Sequence, residues 1–555
     1  MKRIIYILNL LIIFAYTSCT DVLDKRSLSD LSDDEVWNDP NLADAFMARI
    51  ALEDSPVWEW SAKNCDEADA GTSFGVSYGL VTSSNFQGLD YWPYDNIRSI
   101  NFLLEKLPTC SLSEAQKTSL NGQAHFWRAY VYFEMVKRFG GVPIIKSVQN
   151  FADDLMVPRN KTSECFDFII DELNQAIAQL PVNFSVDEAG EINRAVAFAL
   201  KGRVLLYKAS PQFNPSGSVS LWTDAYDANK TAYNTLTSYG YALYKNYGDF
   251  WFNEMNEEVV FVTRFNDPER TTSAIKTRRP NSESTGGACA AGGGAPAQIL
   301  VDAYPMIDGT PIAGNPQYNP KKYWENRDPR FDATIVYNGK LWELSGKIGR
   351  IQWTYYGYSP DGVGSPFGTT TGYYPCKAVE LAPTNATATK GTVDWVEIRF
   401  AEVMMNYAEA ANETGHTDVA YDILKEIRKR AGIIPGVDNM YGLTAGQDKT
   451  AMRETLMNER FIEFAYEGKR FWDLRRLRWL NRLTGTRRHG LKSTLIDPND
   501  ISKGFTLTDF IVDTKQAMSF PDNYYFLPIN KTEVEKNPNL KQTDGWDEGG
   551  FDPLQ

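Results

Sequence analysis

The stretch ETLMNERFIEFAYEGKRFWDLRRLRW, residues 454–479, decides how the rest of this chain is read. On a helix it separates into two stripes. Met457, Phe461, Phe464, Gly468 and Trp472 recur at three- and four-residue steps and form an apolar face. Glu459, Glu463, Glu467 and Arg470 run alongside, with Asp473, Arg475 and Arg476 just beyond. Charges this close to a wide aromatic stripe are partly buried, and buried charges need partners. The stretch is therefore either an ion-paired packing helix or a helix presenting Glu459 and Glu463 as a general acid and base. Nothing nearby in the sequence supplies a cleft for the second role. Glu459, Glu463, Arg470 and Arg475 are expected to be scaffold ion pairs remote from any ligand.

Working outward, residues 395–431 read as a helical hairpin. Ile398, Met405 and Ala408 share a face with Glu402, and Gly415 ends the first helix. Thr417 caps a partner helix carrying Ile423, Leu424 and Ile427, which stops at Gly432. Arg399, Glu402 and Glu409 are the expected partners of the charged stripe. Further helices are predicted after the Asp39-Pro40 cap, over 93–107, from the Ser113-x-x-Gln116 capping box to about Arg138, and over 162–180, 194–209 and 222–238. Consecutive amphipathic helices with short turns imply stacked helical hairpins, as in a tetratricopeptide-type solenoid.

Two regions break this pattern. Residues 54–91 mix Gly, Ser, Asp and rings without periodicity, and a loop of that length is usually functional. Residues 239–394 form an irregular, aromatic-rich part with a strand candidate at 257–262. The glycine-rich run 286–295 lacks the Lys-Ser/Thr of a phosphate-cradling loop and reads as flexible. The tail after Arg482 is expected to be mostly irregular. The chain divides into 1–18, 19–38, 39–238, 239–394 and 395–555.

The 555 residues carry a formal net charge of −14, which argues against a polyanion such as nucleic acid. Twenty-nine Tyr, twenty-nine Phe and fourteen Trp supply many rings for a binding surface, and neutral sugars or peptides are compatible ligands. Lys2 and Arg3 precede an apolar run over 4–15, which suits a signal sequence and is short for a membrane span. Cys19 then stands where a bacterial lipoprotein is processed and lipidated, although Tyr16 occupies a position usually held by Leu. The remaining cysteines, Cys65, Cys110, Cys165, Cys289 and Cys376, are odd in number and widely spaced. They form neither a zinc framework nor a disulfide scaffold, and at least one thiol is free or pairs externally.

These segments together resemble the SusD/RagB-like outer-membrane lipoproteins, which accompany TonB-dependent transporters in glycan uptake. The resemblance rests on the start at Cys19, Tyr91-Trp92-Pro93-Tyr94, residues 125–145, 300–309, 327–339 and 399–415, the opening stretch, 524–530 and 537–542. It implies a mainly α-helical protein with four tetratricopeptide-like repeats, an irregular ligand-binding part and no catalysis. It also implies a surface location, a SusC-like TonB-dependent transporter as partner, and an oligosaccharide or, in some members, a peptide as cargo. No cofactor is implied, and a structural calcium ion stays open.

The resemblance transfers no ligand-binding residues, so these are chosen by chemistry. Sugars stack their CH faces on rings and need planar amide or carboxylate partners. The candidates are Asp66, Phe74, Tyr78, Asn85, Phe86 and Tyr91 in the first irregular region, and Trp324, Trp353, Tyr355 and Tyr356 in the second. Enzyme readings are weaker. His125, His416 and His489 lack metal-ligand spacing, and no G-x-S-x-G elbow occurs, which leaves a helical glycosidase with paired carboxylates as the catalytic alternative.

Overall fold

The computed structural model describes residues 33–58, 61–69, 75–183, 190–284 and 294–555. Cys19 and the signal segment, Phe74, Cys289 and most of the glycine-rich run lie outside the described residues.

The helices follow the predicted pattern closely in the first half. They are α1 (Asp33–Asn38), α2 (Pro40–Asp54), α3 (Tyr94–Lys106), α4 (Glu114–Phe139), α5 (Thr162–Gln179), α6 (Arg194–Ala209) and α7 (Val219–Ser238). Asp39 caps α2 by accepting from Asn41 N, and Ser113 caps α4 by accepting from Gln116 N. Gly140, at φ +75°, ends α4 where a side chain would strain the turn. Helix α4 packs on α5, α5 on α6 and α6 on α7, which gives a layered, tetratricopeptide-like stack.

Two short helices, α8 (Gln298–Ala303) and α9 (Pro329–Thr334), stand in the irregular middle of the chain. The C-terminal part adds α10 (Phe400–Glu413), α11 (Thr417–Ala431), α12 (Lys449–Glu463), α13 (Arg470–Arg476) and α14 (Lys531–Lys536). The strands are β1 (Ala68–Asp69), β2 (Val259–Thr263), β3 (Ala295–Pro296), β4 (Ile335–Val336), β5 (Lys340–Leu341) and β6 (Ile351–Gln352). They continue with β7 (Tyr374–Pro375), β8 (Trp395–Arg399), β9 (His489–Leu495), β10 (Phe505–Ile511), β11 (Gln542–Thr543) and β12 (Gly549–Phe551). Among the described residues they pair only two by two, as β1–β3, β2–β8, β4–β7, β5–β6, β9–β10 and β11–β12.

Three expectations are corrected. Residues 395–399 are not the start of a helix but strand β8, buried along its whole length and antiparallel to β2; α10 begins at Phe400. The opening stretch is not one helix. It breaks after Glu463, where Tyr466 and Gly468 take left-handed backbone conformations, and restarts at Arg470. The tail is more ordered than expected, because 489–511 folds into the longest hairpin of the described residues, with His489 opposite Ile511 and Leu495 opposite Phe505.

A buried ion network joins these parts. Arg330, fully buried at the start of α9, contacts Asp328 at 2.7 Å, Glu459 at 2.6 Å and Glu463 at 2.8 Å. Arg399 reaches Glu258, Glu463 and Glu467 at 2.6, 2.7 and 2.8 Å. Arg428 meets Glu459 at 2.8 Å, Arg430 meets both Glu258 and Glu463, and Lys377 meets Glu467 at 2.5 Å. Five cations therefore face five carboxylates with no carboxylate left bare, the condition under which buried charge is tolerated. Burial alone would raise the Glu463 carboxyl. Arg430, Arg399 and Arg330 outweigh it and hold the group far below the usual carboxylate range.

Arg475 departs from the expected pattern. Its guanidinium donates to the backbone carbonyls of Tyr524, Lys137, Arg138 and Tyr525, at 3.0, 3.1, 2.8 and 2.9 Å, and ends on no carboxylate. It stitches α4 to the 524–526 segment by satisfying carbonyls that helix and turn leave open.

Candidate functional site

Helix α12 has two faces. Glu459 and Glu463 point into the ion network and are fully buried, so they reach no solvent-borne substrate. Glu454, Met457, Asn458 and Phe461, spaced i, i+3, i+4 and i+7, turn the other way and line a groove of about 740 Å³. That volume lies within the range of small-molecule sites. The remaining walls come from α8 (Gln298, Ile299, Asp302), α13 (Arg470, Leu474), the turn carrying Trp479 and Arg482, and the base of the β9–β10 hairpin (Arg487, Arg488, His489, Asp509).

The floor is built from Phe461. Arg470 lies over its ring at 4.1 Å and forms a two-point ion pair with Asp66, at 2.7 and 3.0 Å. Trp479 is half-buried and carries the Arg482 guanidinium on its ring at 3.6 Å; Arg482 also meets Glu454 at 3.0 Å. Asn458 is exposed on the groove side of α12. The groove therefore mixes apolar rings with amide, carboxylate and guanidinium groups, which is the chemistry a polyhydroxylated ligand requires. Among the described residues no group of three His, Cys, Asp or Glu side chains is placed to hold a metal ion.

The residues singled out by sequence do not converge. Asp66 lines the groove, but as the partner of Arg470. Tyr78 is half-buried beside it and donates its hydroxyl to Asp513 at 2.5 Å; burial, and then that contact, push its phenol up. Asn85 is exposed in a tight turn and accepts from Gln87 N, while Phe86 is a core residue at 5% exposure, which removes it from the candidates. Tyr91 donates to Asp54 at 2.7 Å and lines a second cavity of about 620 Å³, with Trp58 and Tyr130. Trp324 is stacked on Tyr337 at 5.0 Å and packs against the core around Phe331. Trp353 and Tyr355 do come together, with Tyr358 and Phe505, as a half-buried ring cluster at the far end of the hairpin. Tyr356 next to them is 56% exposed, and its backbone N–H donates to Ser493 on β9.

Asn458, Trp479, His489, Asp302 and Asp509 line the groove and are not among the ligand-binding candidates chosen from sequence. The mixed-polarity stripe 454, 457, 458, 461 was the available signal, but Met457 and Phe461 read as core on their own. The hairpin residues are hard to pair from sequence, because the long 496–504 connection, though rich in turn residues, lacks the tight-turn dipeptide that fixes a register.

Comparison with known proteins places this architecture. The sequence profile of the SusD family matches residues 257–546, and a second profile, described as starch-binding associating with outer membrane, matches residues 30–206. The chain belongs to the SusD family. A SusD-like protein P38 of Formosa agariphila is 24% identical over 488 residues, covering 82% of this chain and 88% of that protein. The crystal structure of a SusD-like protein from Bacteroides fragilis is 28% identical, covers 94% of this chain and 100% of its own, and superposes with a TM-score of 0.78. A second Bacteroides fragilis structure, described as a SusD-like carbohydrate binding protein, is 22% identical with a TM-score of 0.75, over 91% of this chain and 99% of its own. SusD membership accords with the tetratricopeptide-like helical stack.

Proposed function

We propose that this SusD-family protein is a surface-exposed lipoprotein of the outer membrane. It captures an oligosaccharide in the groove between α8, α12 and the β9–β10 hairpin and passes it to a SusC-like TonB-dependent transporter. The observation that carries this reading is the groove's lining, which sets the half-buried Trp479 ring and the exposed amide of Asn458 in one cavity. A ring and an amide in one groove suit the CH faces and hydroxyls of a sugar. The carbohydrate-binding description of a solved relative and the outer-membrane description of the matched family support it.

The reading is non-catalytic. Glu459 and Glu463, the carboxylates that sequence put forward as an acid/base pair, are enclosed by arginines and take no part in the groove. Calorimetry against a broad panel of oligosaccharides and peptides tests capture, with reducing-sugar release followed in parallel. Saturable glycan binding without turnover is expected. Binding of peptides alone would make the cargo peptidic, and binding of neither class would end the proposal. Incorporation of labelled palmitate, lost in Cys19→Ala, tests the anchor, and co-purification with the transporter tests the partner.

A further inference from the structure

The charges of the groove close on themselves. Arg470 ends on Asp66. Arg488 meets Asp513 at 3.3 Å and spends its remaining donors on the carbonyls of Lys63 and Cys65, at 2.9 and 2.7 Å. Arg482 meets Glu454 at 3.0 Å, and His489 meets Asp509 at 2.7 Å. Two lining groups stand outside these pairs, and they have opposite sign. Arg487 donates to the Asp513 carbonyl, and Asp302 accepts from Gln298 at 2.8 Å. Four guanidiniums, of Arg470, Arg482, Arg487 and Arg488, are thus matched in the lining by the carboxylates of Asp66, Asp302, Glu454 and Asp509.

A polyuronate or a sulfated chain carries repeated negative charge, and its recognition uses guanidinium forks left open for it. Here the forks of Arg470 and Arg488 are filled from within the protein, while Arg482 and Arg487 are each tied through one nitrogen. The four lining guanidiniums face four lining carboxylates, which leaves no net positive charge for a polyanion. The chain's net charge of −14 adds long-range repulsion of any polyanion. The Phe461 ring lies beneath Arg470. The groups still open to a ligand are the exposed Asn458 amide, the second oxygen of Asp302, the half-buried Trp479 ring and the remaining nitrogens of Arg482 and Arg487. These match hydroxyls and CH faces.

We infer that the groove takes an uncharged oligosaccharide, a hexose or pentose chain, and rejects polyuronates and sulfated glycans. This rests on the reading of the protein as a glycan-capturing member of its family.

The test is a glycan array holding neutral hexose and pentose oligosaccharides beside oligogalacturonate, alginate and sulfated glycosaminoglycan fragments. The best hit is then titrated by calorimetry into the full protein, Trp479→Ala and Asn458→Ala, at low and high salt, with circular dichroism confirming the fold of each variant. The expected hit is neutral. Its affinity changes less than about twofold between the two salt concentrations, where a polyanion's would fall by about tenfold or more through screening. It weakens by about tenfold or more in Trp479→Ala and by severalfold in Asn458→Ala. A uronate or sulfated hit that is salt-sensitive and lost in Trp479→Ala overturns the inference and leaves glycan capture standing. A hit unaffected by either variant also overturns it, by placing the site outside the groove. No hit of any class removes the proposed function itself.

Discussion

Asp66 and Arg470, 404 residues apart in the chain, meet in a two-point ion pair with N–O distances of 2.7 and 3.0 Å. The pair pins the short segment 61–69 to the start of α13 and holds Arg470 flat on Phe461, the floor of the groove. Asp66→Ala leaves a half-buried guanidinium without its carboxylate partner, which costs about 1–3 kcal/mol. Urea unfolding is expected to show that loss, and Asp66→Asn a smaller one, since the amide keeps one acceptor.

Glu463 tests the separation of frame from groove. It is fully buried and contacts Arg330, Arg399 and Arg430, so Glu463→Ala strands several cations at once. A midpoint shift worth about 3–5 kcal/mol is expected, or failure to fold. In whatever material folds, ligand affinity by calorimetry should match that of the parent protein. A stable Glu463→Ala protein with weakened binding would contradict the two-faced description of α12.

Acid should loosen the helical stack in a defined window. Burial tends to raise the Glu134 carboxyl, but Lys137 and Arg138 outweigh it and bring it from 4.5 down to about 2. A carboxylate depressed in the folded state stabilises the fold above its unfolded pKa, and that contribution is lost as pH falls through the folded value. For Glu134 the window runs from about 4.5 down to about 2, and the loss amounts to about 3 kcal/mol at about 1.4 kcal/mol per pH unit. Unfolding free energy measured across that range should fall, and should fall less steeply in Glu134→Gln.

Asn458 is exposed, so removing its amide leaves the core intact. Asn458→Ala is expected to keep the parent melting temperature and to weaken glycan binding about three- to tenfold, the worth of one hydrogen bond. Unchanged affinity would show that the ligand does not reach this face of α12.

Arg475→Lys removes a planar fork that spans four carbonyls and replaces it with three donors on one atom. A loss of about 2 kcal/mol in urea unfolding is expected, with binding unchanged.

Where structure is set by local periodicity, it was legible in the sequence. The bounds of α6 were read to the residue, and those of α4 and α5 to within one, because caps such as Ser113 and breakers such as Gly140 act on their own neighbours. The charged stripe was read as ion pairs, and Glu459 and Glu463 are so paired. Trp395 to Arg399 failed because a strand buried on both faces carries no alternation, and helical spacing can be found in it by chance. Arg475 failed because a carbonyl cage leaves no sign in side-chain charge. The groove was the hardest part, since Asp302, Trp479 and Asp509 meet only through the tertiary fold. Asp66, a sequence candidate, lies in the groove wall as the partner of Arg470.

The two faces of α12 also bear on how such a protein could change its cargo. Its inward positions are interlocked with arginines drawn from several distant segments, so none of them can be exchanged singly. Its outward positions 454, 457, 458 and 461, together with the hairpin base, supply no charge to that lattice, and Arg470 beside them is tied to Asp66 instead. A designer wishing to retarget uptake could therefore graft a new outward stripe and hairpin onto an unaltered frame. Natural drift is open to the same route, which would let relatives of low overall identity share one skeleton while diverging in diet.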